Sequence, residues 1–315
     1  MPSIVQFIHP QAEHSYDSHY KNKKYYKKWH NGDHCRKFVI NKGKYIENDL
    51  SNDGILLFWC EWEPPSLVEE IDLIKRTSSN EVYPKYLHYP FLPSLEKIKY
   101  YQKNGFQNTD PFVFGKYFKY SNCKQDHYPC MRNLEKGSLL LFGSCVKSCF
   151  VIDTVFVVKE VIPYCSPVNN DQCFNELGSE SNIFSEIVLK MFCKDGDNVI
   201  KKQRILYIGA TYEDTDDSIN KMYSFVPSMK YEGIIKTFPR LYLQNVDDIN
   251  NYFIKYTMGK KKIINDKLTQ GLLHNPNINI NDIEYLWNII KNNTLKKYVL
   301  GYNFEMPKEG EIIKL

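Results

Sequence analysis

Ser138-Leu-Leu-Leu-Phe142 and Cys149-Phe-Val-Ile-Asp-Thr-Val-Phe-Val-Val-Lys159 are two apolar, β-branched and aromatic runs separated by Gly143–Ser148. Runs of this composition, bounded by glycine and polar residues, predict buried strands rather than helices. Glu135-Lys136-Gly137 supplies a turn in front of the first run, and the short loop between the two lets them pair as a hairpin.

The same pattern repeats on the N-terminal side. Ser3–Ile8 predicts a strand that ends at His9-Pro10, because proline keeps the preceding residue out of the helical region. Arg36–Ile46 alternates as a strand with a turn at Lys42-Gly43 inside it. Asp53-Gly54 reads as a second turn, leading into a buried strand Ile55–Cys60 that runs on to Glu61-Trp62-Glu63 and is stopped by Pro64-Pro65. Phe112–Tyr120, Arg204–Ile208 and Tyr223–Pro227 add further strands. Helical spacing is found at Leu92–Asn104, at Ser181–Cys193, and then at Val246–Met258 and Asp282–Asn292, the last capped by Asn281 or Asp282. The predicted class is α+β: a curved mixed β-sheet or open barrel with a helical C-terminal layer. Residues 1–240 would form a β-rich nucleotide-binding domain, with 241–315 a helical region packed on it.

Composition narrows the setting more than the function. The 24 Tyr and 18 Phe are an excess, but low Ala with abundant Lys, Asn and Ile points to an AT-rich genome as part of the cause. A net charge of +4 is too mild to name a partner. Nine cysteines without paired spacing, and no basic and apolar leader, predict reduced thiols in a cytoplasmic protein. No apolar run approaches the ~20 residues of a membrane helix, so no membrane partner is expected.

Four groups of residues carry possible chemistry. His9, His14, His30 and His34 crowd the N-terminal region, and His9 and His14 are placed to hydrogen-bond a ligand at the end of the first strand. His30 and His34 would share a helix face, but Gly32 between them argues against a helix. With no His-Glu-x-x-His pattern and no cysteine pair, no metal is expected. The second group is a basic stretch, with Lys24, Lys27, Arg36 and Lys37 among tyrosines and Trp29. Lysines attract phosphate and aromatic faces stack on bases, so this stretch predicts contact with a nucleotide or nucleic acid.

In the third group, Glu61 and Glu63 share one face of a strand and Trp62 takes the other. Two such carboxylates can read a base edge, or serve with His9 as catalytic acid and base. The fourth group is Asp110 and Gln125 at strand edges, with Asp153 inside an apolar strand, where it needs a partner such as Arg36 or Arg204. A phosphate-binding glycine loop, a dinucleotide fingerprint and a serine-hydrolase elbow are all absent from the sequence, so no cofactor is expected.

Gly137-Ser-Leu-Leu-Leu-Phe-Gly143 with Phe150-Val-Ile-Asp-Thr-Val-Phe156 resembles the barrel strands of PUA-like domains, the superfamily of ASCH and EVE modules. His9-Pro10, His34-Cys-Arg-Lys-Phe38 and Phe58-Trp-Cys-Glu-Trp-Glu-Pro64 are similar to blocks of the nucleotide-modification-associated domains of bacteria and phages. The likeness is confined to residues 1–160 and implies a base-sensing or base-processing role. The leading expectation is a module that binds a nucleotide, modified base or single strand, in a DNA-modification or phage-defence setting. In it Lys24, Lys27, Arg36 and Lys37 hold phosphate, Tyr26, Trp29 or Trp62 stacks, and His9, Glu61 and Glu63 read polar edges, with His14, His34, Asp110, Gln125 and Asp153 as further ligand-binding residues. The alternative is a nucleotide-processing enzyme, a glycosidic-bond hydrolase or ADP-ribosyl transferase, using Glu61 or Glu63 with a histidine.

Overall fold

Two tight hairpins organise the molecule, and both rest on residues that tolerate a left-handed backbone. Asn48 and Asp49 have φ of 52° and 58°, and Lys147 and Ser148 have φ of 50° and 60°. Two consecutive positive φ values are what a two-residue hairpin loop needs to match the twist of its strands. The structure is a computed structural model. It describes all residues except 10–11, 14–23, 31–32, 72–83, 105, 122, 167–180, 190–201, 215, 236, 248–263, 269 and 310–315.

In chain order the strands are β1 (Ile4–Ile8), β2 (Ala12–Glu13), β3 (Lys24–Lys27), β4 (Cys35–Glu47), β5 (Leu50–Glu61), β6 (Ser66–Glu70), β7 (Tyr86–Pro90) and β8 (Lys119–Tyr120). They continue as β9 (Leu139–Val146), β10 (Cys149–Ser166), β11 (Lys202–Gly209), β12 (Val226–Lys230), β13 (Leu241–Tyr242), β14 (Leu272–Asn275) and β15 (Val299–Phe304). They form two mixed sheets. One runs β14-β1-β9-β10-β11-β8, with β13 on β10; the other runs β15-β12-β5-β4-β7-β6-β3, with β2 on β4. In the second sheet β15 also pairs with β4, closing a four-strand circuit through β12 and β5.

Side-chain alternation explains why both sheets read as continuous apolar runs. Val5, Phe7, Leu140, Phe142, Val39 and Phe58 meet in one core between the sheets. The alternate residues Ile4, Ile8, Leu139 and Leu141 pack outward against Ile283, Leu286, Trp287 and Ile290 of the helix Ile280–Leu295. Phe38, Ile40, Leu57 and Trp59 form a third cluster on the far face of the second sheet. A strand buried on both faces loses the polar half of its pattern.

Several expected features change. The strand Cys35–Glu47 is unbroken at Lys42-Gly43, and Asp53-Gly54 lies inside β5, where Gly43 pairs with Gly54. These glycines serve close packing instead: a Cβ on Gly43 would sit 2.7 Å from the Asn303 carbonyl oxygen. Phe112–Tyr120 keeps only β8 and isolated bridges. The helix predicted from Leu92 starts at Leu95 after Ser94. Ser181–Phe184 is helical and continues as a π turn to Leu189, and residues 190–193 lie outside the described residues. The last helix is capped by Asn279, whose side chain accepts from the Asn281 amide, ahead of the expected Asn281 or Asp282.

Among the described residues the segment after 240 is not helical alone: beside the helix Ile280–Leu295 it holds β13, β14 and β15. Most of Val246–Met258 lies outside the described residues, and β14 and β15 enter the two sheets beside β1 and β4. Among the described residues no helix is long and apolar enough to cross a membrane.

Candidate active site

Three chain segments far apart in sequence end at one point. His9 follows the last residue of β1, its amide fixed on the Gly143 carbonyl at 2.8 Å. His34 precedes β4, and Glu61 closes β5. Because β4 and β5 are antiparallel, with Arg36 opposite Glu61, the start of one strand and the end of the other lie together. His9 Nε2 approaches Glu61 Oε2 at 2.8 Å, and His34 Nδ1 approaches Glu61 Oε1 at 2.7 Å. The two imidazole rings are 4.9 Å apart, edge to face.

Glu63 joins from the same side, as the strand period predicts: its Oε1 lies 3.5 Å from His34 Nδ1 and 2.8 Å from Lys37 Nζ. Both carboxylates are essentially inaccessible, while the His34 side chain retains 20% of its exposure. Around them, the Asp110 amide donates to Glu61 Oε1 at 3.0 Å and Thr109 Oγ1 accepts from the Glu63 amide at 3.0 Å. Asp110 in turn receives the amides of Ser121 and Cys123, which brings Cys123 Sγ to 3.7 Å from His9 Nδ1.

Burial opposes charge on every one of these groups, and their mutual contacts reverse the outcome. For His34, desolvation is outweighed by Glu61 and Glu63, and its pKa is pushed up to about 10. His9 is likewise penalised by burial, yet Cys123 and Glu61 hold it well above the ordinary histidine value. Burial would neutralise Glu61, but His34 and His9 keep it below the usual carboxylate range. Glu63 is held lower still, against burial, by Lys37 and His34. These contacts nevertheless leave atoms unsatisfied. His9 Nε2, His34 Nδ1, Glu61 Oε2 and Glu63 Oε2 have no aligned hydrogen bond, although the nitrogens and carboxylate oxygens lie at hydrogen-bond distance.

Other residues singled out by sequence take structural places. Lys27 is buried, donating to the carbonyls of Lys28, Glu63 and Pro64 at 3.2, 3.0 and 2.9 Å; burial and Lys37 hold its ammonium well below the lysine value. Lys37 is consumed by Glu63. Arg36 lies over the Trp59 ring at 4.1 Å and pairs with Asp153 at 3.3 Å. None of these three cations is open to a phosphate, which corrects their expected role. The stacking role fails for the same reason. Trp29 is buried and donates to the Gln107 carbonyl at 2.7 Å, and Trp62 donates to the Pro65 carbonyl at 2.9 Å.

Gln125 bonds the backbone of Ile205 in both directions and the Ser121 carbonyl, so it splices a loop onto β11 instead of reading a ligand. Asp153 is the extra residue of a β-bulge between Ile152 and Thr154, bonded to Ser144 and Arg36; Arg204 pairs with Asp126. Lys24 is on edge strand β3, and His14 lies outside the described residues. Among the described residues Cys35, Cys60, Cys123, Cys130, Cys145 and Cys149 are free thiols.

Of the expected site residues, the fold therefore gathers His9, His34, Glu61, Glu63 and Asp110. Sequence reasoning missed Cys123 and Thr109 as supporting members, because both stand in loops whose side chains meet the cluster only in the folded chain. No known protein family matches the chain, and comparison with characterised proteins and with solved structures finds no match.

Proposed function

We propose that the protein is an enzyme that hydrolyses a nucleotide or nucleic-acid component at the His9, His34, Glu61 and Glu63 cluster. The observation that carries this reading is the burial of two carboxylates against two imidazoles and a lysine, with four polar atoms left unaligned. Fold stability alone does not favour such a cluster, since buried ion pairs are commonly neutral or costly relative to apolar packing. Titratable groups with perturbed protonation, clustered where one member meets solvent, are the mark of a reaction centre. His34 is that member.

The binding-module reading loses support, because Lys27, Lys37, Trp29 and Trp62 are already satisfied inside the fold. The substrate class is drawn from a convergence. The three blocks similar to nucleotide-modification-associated domains contain His9, His34 and Glu61–Glu63, and these are the residues that meet. A PUA-like relationship belongs to the same reading and rests on the sequence of β9 and β10 alone.

In the proposed reaction a water held among the carboxylates gives a proton to Glu63, whose Oε2 has no aligned partner. The water oxygen bonds to the electrophilic carbon or phosphorus of the substrate as the leaving-group bond breaks. Protonated His34 gives its proton to the departing group and is recharged from Glu63, 3.5 Å away, which restores the carboxylate. Mass spectrometry of a mixed pool of nucleosides, nucleotides, dinucleotides and oligonucleotides tests this. Wild-type protein is expected to yield cleaved products that Glu63→Gln, with an unchanged circular-dichroism spectrum, loses by a factor on the order of 100 or more. A pool recovered intact, or products formed equally by Glu63→Gln, contradicts it.

A further inference from the structure

The geometry points to a divalent first-row transition metal ion held by His9 Nε2, His34 Nδ1 and a Glu61 carboxylate oxygen. This rests on the same cluster as the proposed hydrolase but not on that activity. The three residues each offer one donor atom, all within 4.8 Å of one another. Two imidazoles and one carboxylate are a donor set used for zinc and for non-haem iron, with the remaining positions open to water or substrate.

Size and aim both fit. Metal–ligand distances of ~2.1 Å place neighbouring donors about 3.0–3.4 Å apart. The two imidazole–carboxylate contacts, one to each Glu61 oxygen, are shorter at 2.7–2.8 Å, and the donor set as a whole lies within 4.8 Å, so side-chain shifts of about an ångström bring it round one ion. A simple imidazole–carboxylate ion pair would align each N–H along its contact. Here His9 Nε2, His34 Nδ1 and Glu61 Oε2 lie close without that alignment, which leaves their lone pairs for a shared cation.

The outer shell is present too. Glu61 Oε1 is oriented by the Asp110 amide, and the second nitrogen of His9 lies 3.7 Å from Cys123 Sγ. Such partners fix ligand orientation and ring tautomer. Glu63 Oε2 remains beside the site as an acceptor for the proton of a metal-bound water. The ligands come from the ends of β1 and β5 and the start of β4, which is why no short spacing announces them in the sequence.

The test uses the full chain without a polyhistidine tag, stripped by chelator and titrated with Zn²⁺ by calorimetry and with Co²⁺ by visible absorption. The expected result is saturation at one ion per chain, a rise in melting temperature on Zn²⁺ addition, and Co²⁺ d–d bands of nitrogen–oxygen ligation. Affinity falls on the order of 100-fold in His34→Gln and Glu61→Gln, and about tenfold or less in Glu63→Gln. Absence of saturable binding by the wild-type chain, or wild-type affinity retained in His34→Gln and Glu61→Gln, overturns the assignment. Where those variants do not fold, the wild-type melting shift and Co²⁺ spectrum decide it. Cleavage by a chain that shows no saturable metal binding would remove the metal and leave the hydrolase standing; stoichiometric metal without cleavage of any pool component would do the reverse.

Discussion

At the scale of single residues, the site is a chain of mutual dependence between charges that could not be buried singly. Lys37 and Glu63 illustrate it: each is fully buried and each neutralises the other at 2.8 Å. Removing one partner strands the other, so Lys37→Met is expected to cost about 3–5 kcal/mol in denaturant unfolding. The double variant Lys37→Met/Glu63→Gln should recover part of that loss, and a double variant no more stable than Lys37→Met would contradict the pairing.

A pH dependence follows from His34, which faces Glu61, Glu63 and His9. Its pKa in the folded, metal-free protein is raised to about 10, against ~6.5 unfolded. The stabilisation is therefore complete below pH ~6.5 and fades as pH rises through that value towards 10. Melting of chelator-treated protein across this range should show a decline that is smaller in His34→Gln.

These residues were partly legible in the sequence. Glu61 and Glu63 share a face because strand geometry alone requires it, and His9 was marked by the proline after it. Burial of Lys27 and Lys37 was not legible: a lysine in an alternating stretch reads as solvated until a buried carboxylate is known to lie beside it.

At the scale of elements, the hairpin β9–β10 shows what pattern reading captures and where it stops. Its two apolar runs identify the strands, and the loop was located to within a few residues. Sequence could not reveal that Gly143 is part of the strand. A Cβ there would lie 2.4 Å from both the Phe150 ring and the Val151 carbonyl oxygen, opposite the bulge that turns Asp153 towards Arg36. Gly143 also accepts the His9 amide. Gly143→Ala is thus expected to destabilise by about 1–3 kcal/mol. It should also weaken metal binding through displacement of His9, measured by denaturant unfolding and Zn²⁺ calorimetry on one preparation. A neutral effect on both would contradict the packing account. The glycine-based turns predicted at Lys42-Gly43 and Asp53-Gly54 failed for a related reason, since glycine marks close approach as readily as a bend.

At the scale of the whole molecule, the site exists only because distant segments are tied together. β1 carries His9 and is flanked by β9 on one side and by β14, from near the C-terminus, on the other. β15 pairs with Gly43–Ile46, at the far end of the strand that begins beside His34 and carries Lys37. A chain ending at residue 240 would lose β14, β15 and the helix that covers the outer face of the first sheet. It is expected to show no cooperative unfolding transition by circular dichroism; a native-like melt would restore the idea of an independent domain. Long-range strand pairing of this kind is invisible to local periodicity, which is why the C-terminal segment read as a separate helical layer.

The most direct test of the central claim is hydrolysis of the mixed nucleotide pool in H₂¹⁸O, with wild-type protein and Glu63→Gln compared by mass spectrometry. The account predicts one ¹⁸O atom in a cleaved product of the wild-type reaction and no such product above background from the folded variant. An unlabelled pool, or the same labelled product at the same rate from Glu63→Gln, would contradict it.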